Sequence, residues 1–192
     1  MELPEVELSA HLPRGFRAGA ATAGIKASGR PDLGVVTTID GPAAVAATFT
    51  TNRFPSAPVL LNREHLAGNG GRVAALLSTS GCANAATGDA GLADQRALAA
   101  TLAAAVGTSP EHTLAVATGM IGPRLPVDRV APAIERLVAD GLREDPATLA
   151  DVAEALRTTD SRAKCATVRL DGGVTVSGIA KGVGMILSLI HI

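Results

Sequence analysis

The stretch Arg72–Thr79, RVAALLST, decides the fold of this chain. It is an uninterrupted apolar run of strand length, which is typical of a strand buried on both faces of a sheet. The residues that follow, STSGCANAATGDAG over 78–91, are small and polar, and the segment Gly88–Gly107 then takes on the period of a helix. A second buried strand, His112–Thr118, comes after that helix. The order of strand, helix and strand predicts a mixed α/β chain.

The same patterns predict further elements outside this unit. Residues 1–11 have no regular pattern and are expected to form a flexible arm. No internal repeat and no domain boundary is visible, so we expect one layered α/β unit. The remaining elements are strands at Gly34–Ile39 and Val45–Thr50 that form a hairpin, a helix over Val127–Gly141, a helix that begins at Asp145-Pro146 with Asp145 as N-cap, and a hairpin of Cys165–Leu170 with Val174–Ile179.

The composition excludes several classes of function. The chain has 192 residues, enough for one domain, and 47% of them are hydrophobic, which excludes a disordered chain. Only 2% are aromatic, so the chain lacks the side chains on which single-strand binders stack bases. The formal net charge is -1 without a basic run, which argues against nucleic acid or an anionic membrane surface as a partner.

The cysteines and the first residues bear on the cellular location. Cys82 and Cys165 are far apart and form no C-x-x-C pair, so no metal site and no disulfide framework is predicted. The start, MELPEVELSAHLPRGF, lacks the basic end and apolar run of a signal peptide. No segment reaches the ~18 consecutive apolar residues that a membrane span needs. We therefore expect a cytoplasmic protein without membrane attachment.

Three polar loops contain candidate site residues. The pair Thr118-Gly119 lies where a buried strand ends, and could offer a hydroxyl and a backbone N–H to a developing oxyanion; a plain turn is the alternative. Thr158 follows a predicted helix, where a polar helix end is the alternative reading. Lys181 stands in GIAKGVGMI, Gly178–Ile186, and is either a binding residue or a surface lysine. This loop lacks the residue order of a phosphate-binding P-loop, so no nucleotide site is predicted.

The residues alone identify no catalytic set. The four histidines are scattered, and neither a Ser–His nor a Cys–His pairing suggests a triad. The carboxylates show no paired spacing. At this level the chain is an α/β domain with polar loops that could form a site.

Several motifs, taken in order, carry a family resemblance over residues 12–186. Together they resemble the α-chain half of the ornithine acetyltransferase family, the bifunctional glutamate N-acetyltransferases of arginine biosynthesis. The resemblance implies half of a helix-sheet-sheet-helix sandwich similar to N-terminal-nucleophile enzymes. The motifs are PRGFRAGAATAGIKASGRPDL, AATFTTNRFPSAPVLLNRE, SGCANAATGDAG, ATGMIGP, TTDSRAK and GIAKGVGMI.

The resemblance also implies an activity and a set of site residues. Such enzymes move acetyl from N-acetyl-L-ornithine to L-glutamate through an acetylated threonine, and some also accept acetyl-CoA; no bound cofactor or metal is implied. That threonine begins a β chain released by self-cleavage, and the αβ pairs assemble into larger oligomers. By position, Thr118 and Gly119 match the oxyanion-hole pair, while Thr158 and Lys181 match substrate-binding residues. Asn84 and Thr87 are expected to be structural.

The last residues depart from the family pattern. The position of the nucleophilic threonine falls on Ile192, and the tail LSLIHI over 187–192 does not match the family. We interpret this tail as a frameshift or read-through, and expect the chain as given to be inactive alone. A non-catalytic amino-acid-binding protein that keeps the substrate pocket is the alternative. A second departure is SRAK at Ser161–Lys164, where the family has T-x-P-K.

Overall fold

The computed structural model describes residues 5–182. Within these residues the chain forms nine strands and four α-helices. The strands are β1 (Val6–Glu7), β2 (Phe16–Ala21), β3 (Leu33–Thr38), β4 (Ala43–Ala44), β5 (Arg72–Val73), β6 (Ala75–Cys82), β7 (Thr113–Met120), β8 (Lys164–Arg169) and β9 (Thr175–Ala180). The helices are α1 (Ala57–Gly68), α2 (Gly88–Val106), α3 (Val127–Ala139) and α4 (Thr148–Leu156).

The main sheet has the strand order β2-β3-β6-β7. Its first three strands pair antiparallel, whereas β6 and β7 are parallel and are connected through α2. The predicted strands at 34–39, 72–79 and 112–118 are therefore confirmed. Strand β6 lies between β3 and β7. Most of its residues are buried, including consecutive ones that point to opposite faces, as its continuous apolar run predicts.

Helices α2 and α3 cover one face of this sheet. Both helices were predicted from their apolar periods, and both are confirmed. The core between them and the sheet is almost entirely aliphatic. Its largest fully buried side chains are Leu33, Val35, Leu77, Leu98, Leu102, Val130 and Ile134.

Helix α4 packs against the opposite face, close to the strands. A Cβ added at Gly34 would lie 3.0 Å from Val152 Cγ1, so this glycine sets how near the helix can approach. The helix begins at Thr148, three residues later than the predicted N-cap. Asp145 instead organises the preceding turn, where its carboxylate accepts the Ala147 N–H at 2.8 Å.

Helix α1, which the sequence patterns did not predict, covers part of the outer edge of β7. The Asn62 amide donates to the Ala115 carbonyl at 2.7 Å and accepts the Ala115 N–H at 2.8 Å. The His65 Nδ1 lies 2.8 Å from the Thr113 carbonyl oxygen. These two side chains satisfy edge groups that a further strand would otherwise pair.

A second sheet has the order β1-β8-β9, and its hairpin β8–β9 was predicted correctly. Residues 5–11, expected to be a flexible arm, are attached to this sheet. Val6 pairs with Val168, and the His11 N–H donates to the Thr167 hydroxyl at 3.1 Å. The side chains of Cys165 and Ile179 pack towards α4.

The predicted strand at Val45–Thr50 is wrong, because these residues form no strand and β3 pairs with β2 and β6 instead. The short strand β4 before them pairs with β5. The predicted mixed α/β class is confirmed. A layer of α2 and α3 covers one face of the main sheet, and α4 with the β8–β9 hairpin lies on the other.

Candidate functional site

Strands β6 and β7 come unusually close together at their carboxyl ends. Ser80 pairs with Thr118 and Gly81 with Gly119, and a bulge follows at Gly81 and Cys82. Gly119 has a φ of +131°, and a Cβ placed there would lie 2.3 Å from the carbonyl carbon of Gly81. Both the backbone angle and the available space therefore require glycine at this position.

Gly119 lies at the exposed end of β7, which is an edge strand of the main sheet. The N–H and C=O of Ala115 point outward to Asn62 on α1. Since neighbouring residues of a regular strand direct their peptide groups to opposite sides, those of Ala117 point outward as well. Gly119 is exposed, and the side chain of Thr118 is half-buried beside it. One backbone donor and one hydroxyl thus adjoin each other at this edge.

The turns after β6 and β7 are bound to each other. The Ala83 N–H donates to the Met120 carbonyl at 2.9 Å, and the Gly122 N–H donates to the Ala85 carbonyl at 3.0 Å. Asn84 is fully buried, and its carboxamide oxygen accepts the Thr87 hydroxyl at 2.8 Å. Its amide nitrogen also donates to the Gly91 carbonyl and to the Gln95 side chain. These bonds give Asn84 and Thr87 the structural role expected of them.

A loop over 22–32 is folded around the buried carboxylate of Asp32. This carboxylate accepts the N–H groups of Ala23 at 2.6 Å, Ile25 at 2.6 Å and Lys26 at 2.9 Å. Ile25 in turn lies against Gly81, where an added Cβ would come within 2.9 Å of its side chain. The loop therefore packs against the bulge that shapes the Thr118–Gly119 edge.

The carboxyl end of α4 joins this edge from the other side. The Ser80 hydroxyl donates to the Ala155 carbonyl, and the Lys26 ammonium donates to the same carbonyl at 3.0 Å. Burial, with the nearby Arg30 guanidinium, lowers the pKa of Lys26 from its usual value. Ser80 is the register partner of Thr118, so both side chains lie on the face of the sheet that carries α4.

Two arginines hold the loop that follows α4, which contains Thr158. Arg30 donates to the Thr158 carbonyl at 3.3 Å. Arg157 donates to the carbonyls of Asp160 and Ser161, each at 2.9 Å. The Thr158 side chain itself is half-buried.

Asp160 connects this loop to the residues after β9. Its carboxylate accepts the Lys164 ammonium and the Gly182 N–H, the latter at 2.8 Å. The hydrogen bond from Lys164, with that from Gly182, lowers the pKa of Asp160 to about 2. Lys181 is exposed and directly precedes the tethered Gly182.

The structure thus brings four predicted site residues to one end of the molecule: Thr118 and Gly119 at the sheet edge, Thr158 in the loop after α4, and Lys181 after β9. Ser80 and Asp160 provide the connections between these segments, and sequence reasoning gave neither of them a role. The position of the predicted nucleophile, Ile192, lies outside the described residues.

No other feature of the described residues supports a different candidate for the catalytic site. Cys82 donates its thiol to the Pro123 carbonyl, and burial raises the thiol pKa, which disfavours a nucleophilic thiolate. No cluster of three or more metal-ligating side chains occurs within residues 5–182. Among these residues no helix combines the length and apolar character needed to cross a bilayer.

A pocket of about 470 Å³ lies at the opposite end of β6, where Thr38, Gly107 and Leu142 are among its walls.

Comparisons with known proteins identify relatives of the whole described region. The sequence profile of the ArgJ family matches residues 17–189. The arginine biosynthesis bifunctional protein ArgJ of Geobacter sulfurreducens is 45% identical over 177 residues, which are 91% of this chain and 44% of that protein. The protein of the same name from Thermobifida fusca is 42% identical, over 93% of this chain and 45% of its own length. The chain therefore spans less than half the length of these curated relatives.

Two solved structures are similar in fold. The crystal structure of ornithine acetyltransferase complexed with ornithine, from Mycobacterium tuberculosis, matches with a TM-score of 0.89 and 36% identity, over 96% of this chain and 98% of that chain. The crystal structure of the arginine biosynthesis bifunctional protein argJ from Bacillus halodurans matches with a TM-score of 0.84 and 32% identity, over 97% and 98% of the two chains.

Proposed function

Because the chain belongs to the ArgJ family, we propose that it is the α part of an acetyltransferase that moves acetyl from N-acetyl-L-ornithine to L-glutamate. Its relatives are named for arginine biosynthesis and for ornithine acetyl transfer. The remainder of such an enzyme is supplied by a β chain, and we expect the assembled enzyme to act in the cytoplasm.

The observation that carries this proposal is the close packing of the strand ends at Thr118 and Gly119. The Gly119 N–H and the Thr118 hydroxyl adjoin each other where β7 ends, and the close approach of Gly81 excludes any side chain at Gly119. Donors fixed in advance stabilise an oxyanion without having to reorganise, and one such donor lowers the activation barrier by about 3–4 kcal/mol. We assign this pair to the oxygen of the tetrahedral intermediates.

Thr158 and Lys181 are proposed to bind the amino-acid part of the substrate. An ammonium suits a substrate carboxylate through a charge-assisted hydrogen bond, and a threonine hydroxyl can donate to one or accept from an amine. The bond between Asp160 and Gly182 supports this pairing, since it ties the residue after Lys181 to the loop that contains Thr158. The ornithine in the Mycobacterium tuberculosis complex is an amino acid of this kind.

A nucleophile from a second chain completes the proposed reaction. A threonine hydroxyl at the start of the β chain attacks the acetyl carbonyl carbon, while the α-amine of that threonine takes the hydroxyl proton. The intermediate then expels the ornithine amine, which receives the proton, and leaves an acetyl ester. The amine of glutamate then attacks the carbonyl carbon of this ester, the bond to the threonine oxygen breaks, and the proton lost by the glutamate amine passes through the α-amine of the threonine to that oxygen and restores the hydroxyl. Acetyl-CoA is a second donor for the same ester, and no resident cofactor is required.

The extents of the matches support the division into two chains. The chain covers 98% of the matched chain in each solved structure but 44–45% of the two curated sequences. The matched chain in each of the two solved structures is therefore about as long as this one, whereas the two curated sequences are more than twice as long. In the present sequence Ile192 occupies the proposed nucleophile position, so we expect these 192 residues alone not to transfer acetyl.

Reconstitution tests the proposal. Residues 1–186 would be co-expressed with the threonine-initiated β half of the Geobacter sulfurreducens relative, and acetyl transfer from N-acetyl-L-ornithine to glutamate measured on the purified complex. We expect turnover from the complex, none from the 192-residue chain, and a loss of about 100- to 1000-fold with Thr118→Ala. A stable complex without turnover, in which the chain still binds N-acetylornithine, would instead favour a non-catalytic amino-acid-binding protein.

A further inference from the structure

Asp160 has an environment that stability alone does not explain. Its side chain is 2% exposed, and one carboxylate oxygen accepts both the Lys164 ammonium and the Gly182 N–H. The other oxygen is buried and has no hydrogen-bond partner within residues 5–182. An unsatisfied buried acceptor costs about 1–3 kcal/mol, and more when the group is charged. A carboxylate kept at that cost points to a role beyond holding the fold.

The partners of Asp160 connect two segments that are far apart in sequence. Thr158 lies two residues before Asp160, and Lys181 directly precedes Gly182. Gly182 has a φ of +139°, a backbone angle that residues with a side chain avoid. Its N–H donates to the Asp160 carboxylate at 2.8 Å. One hydrogen bond thus fixes the start of the Lys181 loop relative to the Thr158 loop.

The Thr158 side of this connection is itself rigidly held. Arg157 donates to the Asp160 carbonyl and, through its other nitrogens, to the Glu154 carboxylate at the end of α4. Arg30 donates to the Thr158 carbonyl. Through its hydrogen bond with Gly182, Asp160 therefore fixes Lys181 and Gly182, which follow β9, relative to the Thr158 loop.

We propose that Asp160 is a positioning residue that holds the Lys181–Gly182 peptide beside Thr158, so that the hydroxyl and the ammonium engage the same amino-acid ligand. This inference rests on the proposed function for the identity of the ligand. Asp160 touches neither substrate nor reacting atoms in this account. It acts through the backbone, and its loss should weaken ligand binding more than it weakens the fold.

Three variants of the 192-residue chain separate the parts of this role. Asp160→Ala removes both hydrogen bonds, Asp160→Asn keeps an acceptor for Gly182 but removes the charge, and Lys164→Gln removes the ion pair and leaves the Gly182 bond. Asp151→Asn is the matched control, because Asp151 is an exposed aspartate on α4 that bonds only to Arg143 among the described residues.

Amide hydrogen exchange of the labelled chain, measured by NMR, tests the anchor directly, that is, the hydrogen bond from the Gly182 N–H to the Asp160 carboxylate. We expect the Gly182 amide to be protected in the wild-type chain and in Lys164→Gln, and to exchange at least about tenfold faster in Asp160→Ala, with α2 amides unchanged. Equal Gly182 exchange in the wild type and Asp160→Ala would overturn the proposal. If Asp160→Ala does not fold, Asp160→Val, whose side chain is close to aspartate in size and has no acceptor, takes its place: faster Gly182 exchange than in Lys164→Gln supports the anchor, and equal exchange contradicts it.

Titration with N-acetyl-L-ornithine measures how the loss of this hydrogen bond changes ligand affinity. A lost charge-assisted hydrogen bond predicts affinity about 10- to 100-fold weaker in Asp160→Ala, with Asp151→Asn unchanged. Equal affinity in the wild type and Asp160→Ala would refute the positioning role. If the wild-type chain binds no N-acetylornithine, the proposed ligand is wrong, and the exchange of Gly182 still decides whether Asp160 anchors this segment.

Discussion

Two regions of the molecule are built from different kinds of interaction. Between the sheet and helices α2 and α3, the core is a continuous set of aliphatic side chains such as Leu98, Leu102 and Ile134. Around the carboxyl ends of β6 and β7, the packing depends on buried polar groups such as Asp32 and Asp160. The aliphatic side stabilises the fold without specifying chemistry. The polar end holds backbone segments in fixed positions, which is what a site for acyl transfer needs.

The largest expected effect is on the aliphatic side. Leu102→Ala removes a fully buried side chain and should lower the free energy of unfolding by about 2–5 kcal/mol, since the site can only partly collapse. Urea denaturation of the 192-residue chain measures this. Leu60→Ala, at a leucine that is 41% exposed, is the matched control and should cost far less. Similar losses from the two variants would contradict the contrast drawn between the core and the surface.

The next effect belongs to the edge of the polar end. Gly119→Ala would place a Cβ 2.3 Å from the Gly81 carbonyl carbon, so the strand ends must separate and the donor must move. We expect acetyl transfer by the reconstituted complex to fall by about 100- to 1000-fold.

Gly122→Ala is the control for this substitution. Gly122 also has a positive φ, +104°, but an added Cβ there meets nothing within 4 Å. If Gly122→Ala impaired turnover as strongly as Gly119→Ala, backbone strain rather than the close approach of the strands would be responsible.

Asp32 gives a further test of how buried polar groups organise the polar end, because its carboxylate holds the loop over 22–32. Asp32→Asn keeps the shape of the side chain but weakens the hydrogen bonds from three backbone N–H groups, so we expect a loss of about 1.5–3 kcal/mol in the free energy of unfolding. Denaturation of this variant beside the exposed control Asp40→Asn measures it. Indistinguishable midpoints for the two variants would show that the buried carboxylate does not organise the loop.

The smallest effect is a dependence on acid. The hydrogen bond from Lys164 lowers the pKa of Asp160 to about 2, below the value of about 3.9 of an unfolded aspartate. The folded state therefore binds fewer protons, and this stabilisation is present above about pH 4 and is lost as the pH falls towards 2. The stability difference between the wild type and Asp160→Asn should shrink over that range. A difference that stays constant from pH 5 to about 2 would contradict the assignment.

The sequence predicts the elements around the aliphatic core better than it predicts the polar end. The helices α2 and α3 and the strands β3, β6 and β7 bury apolar side chains in a regular period, so local patterns identify them. Helix α1 was not predicted from the sequence, because it directs Asn62 and His65 at the edge of β7 and therefore lacks an apolar stripe. Val45–Thr50 has strand-forming residues, but no neighbouring strand pairs with it.

The polar end was predictable only in part. Polar loops made Thr118, Gly119, Thr158 and Lys181 candidates, but only the resemblance to a family gave them roles. The fold brings their segments to one end. Asp160 was noted only as part of the polar loop Thr158-Thr159-Asp160 and was given no role, because a buried aspartate looks like any other until its distant partners are known. The hydrogen bond from Gly182 spans 22 residues, which no local period records.

The most direct test of the account is a crystal structure of the chain in complex with a β half and N-acetyl-L-ornithine. We predict that the acetyl oxygen lies about 3 Å from the Gly119 nitrogen and the Thr118 hydroxyl, with the ligand carboxylate at Lys181. A ligand bound instead in the pocket beside Gly107 and Leu142, at the other end of β6, would contradict the central claim.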